Sequence, residues 1–296
     1  MNVALYGRNT LANKPEYVLA IYEKLKQYHS QLFICESFYR FLKDTFQLAL
    51  DVPILCTTDD FTKNKIDILL SLGGDGTLLE TLTLIKHLPI PVFGINTGKL
   101  GFLTYDFKEN VADAVQLIID KEYTIDKRHL IELLYPTEQV QDIHYALNEI
   151  VIHKRGVSSM LYIDVMIDDT YLTTIFSDGV IISTATGSTA YSLSCGGPIV
   201  EPNLNAFVIT PIASHSLNAR PIVISNHHIL SFKIYGRNPQ YILSMDARTY
   251  SLNLDFTKET IRIGRASNLF HLVVPHPYHF FDSLRNKLYW GTDKRF

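Results

Sequence analysis

Cysteine is scarce. The three present, Cys35, Cys56 and Cys195, fit no zinc spacing, and an odd number argues against a disulfide framework. An excess of one charge is also missing: 27 Lys and Arg stand against 30 Asp and Glu, a net −3 with His neutral. Non-specific nucleic-acid affinity comes from clustered cations, so no nucleic-acid partner is expected. No apolar run approaches the roughly 18 residues of a membrane span, so no membrane partner is expected either. Met1 to Arg8 shows no charged start leading into a long apolar stretch, hence no secretory signal, and the expected setting is the reducing cytoplasm. Internal repeats and low-complexity stretches are lacking too. Apolar side chains are not lacking. At 47% of 296 residues they suffice for one large core or two ordinary ones.

The first third alternates two periodicities. Strand-like runs at Asn2–Tyr6, Gln31–Cys35, Ile66–Leu72 and Pro91–Ile95 are separated by helix-like segments at Glu16–His29, Phe41–Leu50 and Thr77–Leu88. The run Ile66–Leu72 (IDILLSL) is almost continuously apolar, which suits a parallel strand covered on both faces. This predicts an α/β N-terminal domain over 1–125 with a doubly wound, Rossmann-like sheet. From Leu130 onward many short β-branched runs are broken by turns such as Asp168-Asp169 and Pro202-Asn203. They predict an all-β, sandwich-like domain over 126–275. Asn110–Lys121 reads as a helix near the soft boundary, with Asn110 as N-cap. His279–Trp290 reads as a helix, within a C-terminal segment 276–296 that returns to the first domain.

The sequence Gly73-Gly74-Asp75-Gly76-Thr77 falls between a buried strand and a helix. Glycines let a ligand approach the backbone, and the N–H groups at the start of the helix suit phosphate, so Gly73, Gly74, Gly76 and Thr77 are candidate phosphate-binding residues. A carboxylate in such a turn would repel phosphate unless it faces a hydroxyl or a metal. Asp75 is therefore the candidate catalytic residue of a phosphoryl transfer, accepting the proton of an attacking oxygen. The alternative is a plain turn in which Asp75 caps the helix beginning at Thr77. No Gly-Lys-Ser/Thr follows, so backbone donors and Mg²⁺, or another divalent metal, would have to manage the phosphate charge. No complete set of metal ligands is legible.

A second dense run, Thr184 to Pro198, offers hydroxyls, small residues and one aromatic, Tyr191, able to stack on a flat base. It reads equally as a polar loop beginning a helix. Asn148-Glu149 lies between apolar runs and reads as a binding pair or a strand edge, and Ser177-Asp178-Gly179 reads most simply as a turn.

In order, GGDGT at 73–77, NTGKLGFL at 96–103, NE at 148–149, SDG at 177–179 and TGSTAYSLSCGGP at 186–198 resemble the NAD kinase family. The resemblance spans roughly residues 65 to 250. It implies transfer of the ATP γ-phosphate to the 2′-hydroxyl of the adenosine ribose of NAD, with ATP and NAD as substrates. It also implies NAD contacts from Asp75, Gly76, Phe102, Asn148, Glu149, Asp178 and the stretch Thr189, Ala190, Tyr191, Ser192, Leu193 and Ser194. Phe102 would close the site. By the same resemblance Ser159, Phe176, Ala213 and Arg248 fall where relatives contact NAD. Phe176 stands where Arg is frequent, and Arg248 where Gln is frequent. A homodimer or homotetramer formed through the β-rich half is implied as well.

GGDGT also marks lipid and sugar kinases, so a kinase with another acceptor is one alternative, and a non-catalytic NAD(P) sensor is the other. His227-His228 and His276–His279 match no metal spacing and read as packing or surface residues. Arg8, at the end of the first strand, is a minor candidate for reaching phosphate. Lys287, Lys294 and Arg295 read as a disordered basic end.

Overall fold

The computed structural model describes residues 1–8, 15–98, 101–107, 109–141, 143–156, 160–216, 218–235, 241–251 and 260–288. The elements of the first third are β1 (Asn2–Gly7), α1 (Pro15–Gln27), β2 (Gln31–Cys35), α2 (Glu36–Phe46), β3 (Ile54–Leu55), α3 (Thr58–Lys63), β4 (Ile68–Leu72), α4 (Asp75–Ile85), β5 (Val92–Asn96), β6 (Tyr105–Asp106) and α5 (Val111–Ile119). Then follow β7 (Tyr123–Tyr135), β8 (Tyr145–Ala146), β9 (Glu149–Lys154), β10 (Leu161–Ile167), β11 (Thr170–Ser177), β12 (Gly179–Thr184), a 3₁₀ turn (Thr186–Thr189) and the one-turn α6 (Tyr191–Ser194). The last are β13 (Ala206–Ile212), β14 (Ile222–Ser225), β15 (Leu230–Tyr235), β16 (Tyr241–Met245), β17 (Arg248–Ser251), β18 (Ile261–Pro275) and α7 (Phe280–Leu288). They divide into two units, residues 1–127 with 271–296, and residues 128–270.

The first unit is built on parallel strands in the order β5-β4-β1-β2-β3, with β6 and the last part of β18 also pairing with β5. Alternation along β4 explains its apolar run. Ile68, Leu70 and Leu72 join a core with Val18, Ile21 and Leu25 of α1, Phe38 of α2, and Ala114, Val115 and Ile118 of α5. The other face meets α4: a Cβ on Gly94, which pairs with Ser71, would lie 2.7 Å from Leu78 Cδ1. Helices on both faces make the sheet doubly wound. Asn110 caps α5, its Oδ1 accepting from Ala112 N–H at 3.2 Å.

Two helix starts differ from the sequence expectation. The chain passes from β2 into α2 with no loop, Cys35 serving as the N-cap, and α2 stops where Gln47 turns left-handed at φ 54°. Leu48 and Leu50, counted into the helix by periodicity, instead pack against the core after it has ended. Likewise α4 begins at Asp75, not Thr77, and its N-cap is Gly74. The capping alternative for Asp75 is thereby corrected.

The second unit is a sandwich. One antiparallel sheet runs β11-β10-β15-β18, with β7 pairing with β18 and β8 with β7, and the other runs β14-β13-β12-β9-β16-β17. Ile163, Val165, Phe232 and Ile263 from the first sheet meet Ile150, Ile152, Val180, Ile182, Phe207 and Leu243 from the second in one core. Inward and outward residues therefore alternate along each strand.

Helix α7 belongs to the first unit, where it buries Ser283 and Leu284. Lys287 thus lies in an ordered helix, which corrects its reading as part of a disordered end; Lys294 and Arg295 lie outside the described residues. No described helix is long and apolar enough to cross a membrane.

Candidate functional site

In the first unit the site is organised by one carboxylate. Asp75 opens α4 immediately after the turn that ends the buried strand β4. Its side chain does not serve its own helix. Asp75 Oδ2 accepts from the backbone N–H of Phe102, and Oδ1 accepts from Leu103 N–H at 3.1 Å and Thr104 Oγ1 at 2.9 Å. A buried relay continues behind it. Asn96 Nδ2 donates to Thr104 Oγ1 at 3.0 Å, and Asn96 Oδ1 accepts from Gly98 N–H at 3.0 Å. The approach is so close that a Cβ on Gly101 would stand 2.0 Å from Asp75 Oδ1, so any larger residue there would displace the carboxylate. Two motifs separated in sequence, GGDGT and NTGKLGFL, are therefore one hydrogen-bonded structure. An ionised carboxylate offers about four acceptor directions. The protein uses three, leaving room for a hydroxyl proton.

The turn around Asp75 is rigid. Gly73 N–H donates to Ile95 O at 2.9 Å, Thr77 N–H to Gly74 O at 2.9 Å, and Thr77 is buried. Arg8 Nη1 would stand 3.7 Å from a Cβ on Gly76, but its guanidinium is engaged by Glu80, which also accepts from Tyr6 Oη at 2.7 Å. Burial, with Glu80 beside it, raises the Tyr6 phenol well above its ordinary range. A second cation is found from a direction the sequence did not suggest. Lys287 Nζ sits 4.8 Å from the centroid of the Phe102 ring.

In the second unit the site gathers at the ends of β9 and β12. Asn148 and Glu149 are both buried where β9 begins. Asn148 O accepts from Thr184 N–H at 2.8 Å, and a Cβ on Gly187 would stand 2.1 Å from that same carbonyl. Thr184 Oγ1 donates to Leu147 O at 2.7 Å and accepts from Gly187 N–H at 3.0 Å. The backbone N–H of Tyr191 bonds the Glu149 carboxylate. The NE pair and the hydroxyl-rich run are thus packed on each other, which no local reading could show.

A residue missed by sequence reasoning holds this bend. Asp246, in the tight turn between β16 and β17, accepts from the N–H groups of Leu147 at 2.9 Å, Asn148 at 2.8 Å and Glu149 at 3.3 Å. Burial pushes Asp246 upward, with its backbone donors and Arg248 opposing. The only local cue was a turn between two strand patterns, and nothing in it reported a reach of 97 residues.

Glu149 is the most perturbed group here. Burial first, and the neighbouring Asp246 second, push its carboxyl up to about 8, and its Oε2 has no hydrogen-bond partner among the described residues. The native state therefore holds a proton that the unfolded chain releases in the ordinary carboxylate range. Stability from this group is complete below about pH 4.5 and is lost as pH rises through about 8. Glu149→Gln removes that dependence. Its melting temperature should gain on the wild type between pH 5 and pH 9, and a gap that stays constant across calorimetric scans would refute the assignment.

The remaining candidates are placed as follows. Ser192 is buried and bonds Thr210 Oγ1 at 2.8 Å, and Thr189 Oγ1 donates to Thr186 O at 3.3 Å. Tyr191 is 40% exposed and so available for stacking, while Ala190, Leu193 and Ser194 continue the same short segment. Asp178 pairs with Lys154 at 2.6 Å. Phe176 packs edge-on against Tyr162 at 4.8 Å between ring centroids and remains exposed. Ala213 follows β13 with φ 46°. Arg248 is committed to the backbone, donating to Ile143 O at 2.8 Å and to Tyr145 O. Ser159 lies outside the described residues. No cluster of three or more His, Cys, Asp or Glu able to hold a metal ion occurs among the described residues.

Comparison with known proteins adds a family. The ATP-NAD kinase N-terminal domain matches residues 22–123 and the ATP-NAD kinase C-terminal domain matches residues 147–274. The NAD kinase of Christiangramia forsetii is 37% identical over the full length of both chains. Among solved structures, a yeast NADH kinase complexed with NADH superposes with a TM-score of 0.84 at 27% identity, covering 99% of this chain and 89% of the other. An NAD kinase from Archaeoglobus fulgidus in complex with ATP gives 0.74 at 25% identity, covering 98% and 99%.

Proposed function

The chain belongs to the ATP-NAD kinase family, and on that premise we propose that it phosphorylates the 2′-hydroxyl of the adenosine ribose of NAD with ATP, releasing NADP and ADP. The ribose oxygen bonds the γ-phosphorus as the bond from that phosphorus to the β–γ bridging oxygen breaks. The hydroxyl proton passes to Asp75. The observation that carries this reading is the Asp75 carboxylate, fixed on a strand-to-helix turn by Phe102, Leu103 and Thr104 with acceptor capacity to spare. Phosphoryl transfer needs little covalent chemistry from the protein. Positioning and electrostatics carry it, and a base on a rigid turn serves both.

A divalent cation such as Mg²⁺ would be carried by the ATP phosphates rather than by a protein cage, and would neutralise part of their charge. Gly73, Gly74, Gly76 and Thr77 receive the phosphates. In the second unit Asn148, Glu149 and Asp178 hold the dinucleotide, with Tyr191 stacking and its neighbours Thr189 to Ser194 lining the pocket. Glu149, holding its proton below about pH 8, donates a hydrogen bond where an ionised carboxylate would only accept. Phe176 and Ala213 serve as flanking contacts. Arg248 supports the bend indirectly, through the carbonyls of 143 and 145. Assembly as a homodimer or homotetramer is supported by the edge strand β14, where Ile222 and Val223 are 37% and 47% exposed.

The test is direct. Purified protein with MgATP and NAD should form NADP, detected by an enzymatic cycling assay. Phosphorylation of lipid or sugar acceptors without NADP formation would replace this reading with another kinase, and tight NAD binding without any product would make the protein a sensor.

A further inference from the structure

We propose that Lys287 meets the phosphate oxygens of the nucleotide donor at the Asp75 turn, supplying the positive charge that the glycine-rich segment lacks. The proposal rests on the phosphoryl-transfer reading above. It names a residue that none of the motifs contains.

Three observations converge. First, Lys287 is on the inward face of its helix. Ser283 and Leu284, four and three residues before it, are the buried residues of α7, whereas Arg285, Asn286 and Leu288 are exposed. Side chains at those spacings share one face, so this lysine is turned into the first unit. Second, its ammonium lies over the Phe102 ring at 4.8 Å, and the backbone N–H of that same Phe102 bonds Asp75. The ammonium stands in the field of Asp75 but forms no ion pair or hydrogen bond with any described residue. Third, burial pushes it down to about 8, with Asp75 opposing. A cation kept partly out of water with no anion in contact is a standing cost, and such groups mark functional positions.

The nearby alternative is already used. Arg8 approaches Gly76, yet its guanidinium is held by Glu80. The turn itself contains no lysine, unlike phosphate loops that carry one in the motif. MgATP retains net negative charge, and a compact ammonium on a flexible stem answers it as a point charge. Phe102 holds that ammonium over its ring face until the nucleotide arrives.

The experiment uses the full chain. Lys287→Met keeps the apolar stem and removes the charge; Lys287→Arg keeps the charge. Affinity for a non-hydrolysable ATP analogue with Mg²⁺ is measured by calorimetry, alongside KM for ATP and for NAD. Loss of one charged hydrogen bond predicts that Lys287→Met weakens analogue binding about tenfold to a hundredfold and raises the ATP KM in step, with the NAD KM within about twofold. Lys287→Arg should recover most of the loss, which a purely packing role would not allow. Unchanged analogue affinity in a folded Lys287→Met would overturn the proposal. If Lys287→Met does not fold, Lys287→Gln is read by the same criteria. Because analogue binding is scored without an acceptor, a wild type that makes no NADP would refute the reaction while leaving the role of Lys287 to be decided by the calorimetry.

Discussion

Asp75→Asn should lower the turnover of NADP formation by about 10²-fold to 10⁴-fold, the range that loss of a general base produces. The substitution is nearly isosteric, so the expected damage to the fold is small and can be specified. With the Asn carbonyl in the place of Oδ1, the bonds from Leu103 N–H and Thr104 Oγ1 survive. The amide NH₂ then faces the Phe102 N–H, and one donor loses its partner, at about 1–2 kcal/mol. Melting temperature and the affinity for an ATP analogue should therefore change little while turnover collapses. The decisive comparison is kcat against those two controls. A variant that retains near-normal turnover would reduce Asp75 to a clasp for residues 101–104, and the proposed base would have to be sought elsewhere.

The clasp explains what could and could not be read in advance. The strand–turn–helix around residue 73 was legible because it is local: an apolar run, two glycines and an apolar periodicity lie side by side. That Asp75 would be held by a segment 27 to 29 residues away was not, since spacing carries no information about a bond closed by the fold. The start of α4 at Asp75 followed from the same blindness, because a carboxylate engaged elsewhere cannot cap its own helix. The sandwich was legible from alternation and turns, and the NE and TGSTAYSLS stretches stood out by composition. Their mutual packing through Glu149 and Tyr191 was not. Lys287 was missed for a more instructive reason. A lysine in a short terminal segment is ordinarily solvated, and only the identity of its helical neighbours, Ser283 and Leu284, hinted that its face turns inward. The two main-chain carbonyls that Arg248 bonds, at residues 143 and 145, were likewise out of reach of a local reading.

Removing the carboxylate of Asp246 should strongly destabilise the second unit. Three backbone N–H groups, at residues 147, 148 and 149, converge on it, with no other acceptor for them among the described residues. Each orphaned donor costs about 1–3 kcal/mol, so the three together cost at least about 3 kcal/mol. For a unit of this size that is a fall in melting temperature of roughly 10 °C. Asp246→Ala would mix this with a backbone effect, because residue 246 has φ 50°, where a Cβ is disfavoured. Asp246→Gly removes the carboxylate together with that Cβ, whose loss favours this left-handed turn, so the two variants bracket the carboxylate's share, and a melting temperature within about 2 °C of wild type in both would show the three bonds to be dispensable. A second readout separates clamp from mere stability. Asp246 is one of the two groups holding the Glu149 carboxyl high. Its removal should lower the Glu149 titration midpoint, followed by carboxyl-selective NMR, at temperatures where the variant is still folded. The NAD affinity should fall with it, because the bend that presents Asn148 and Glu149 no longer has its acceptor.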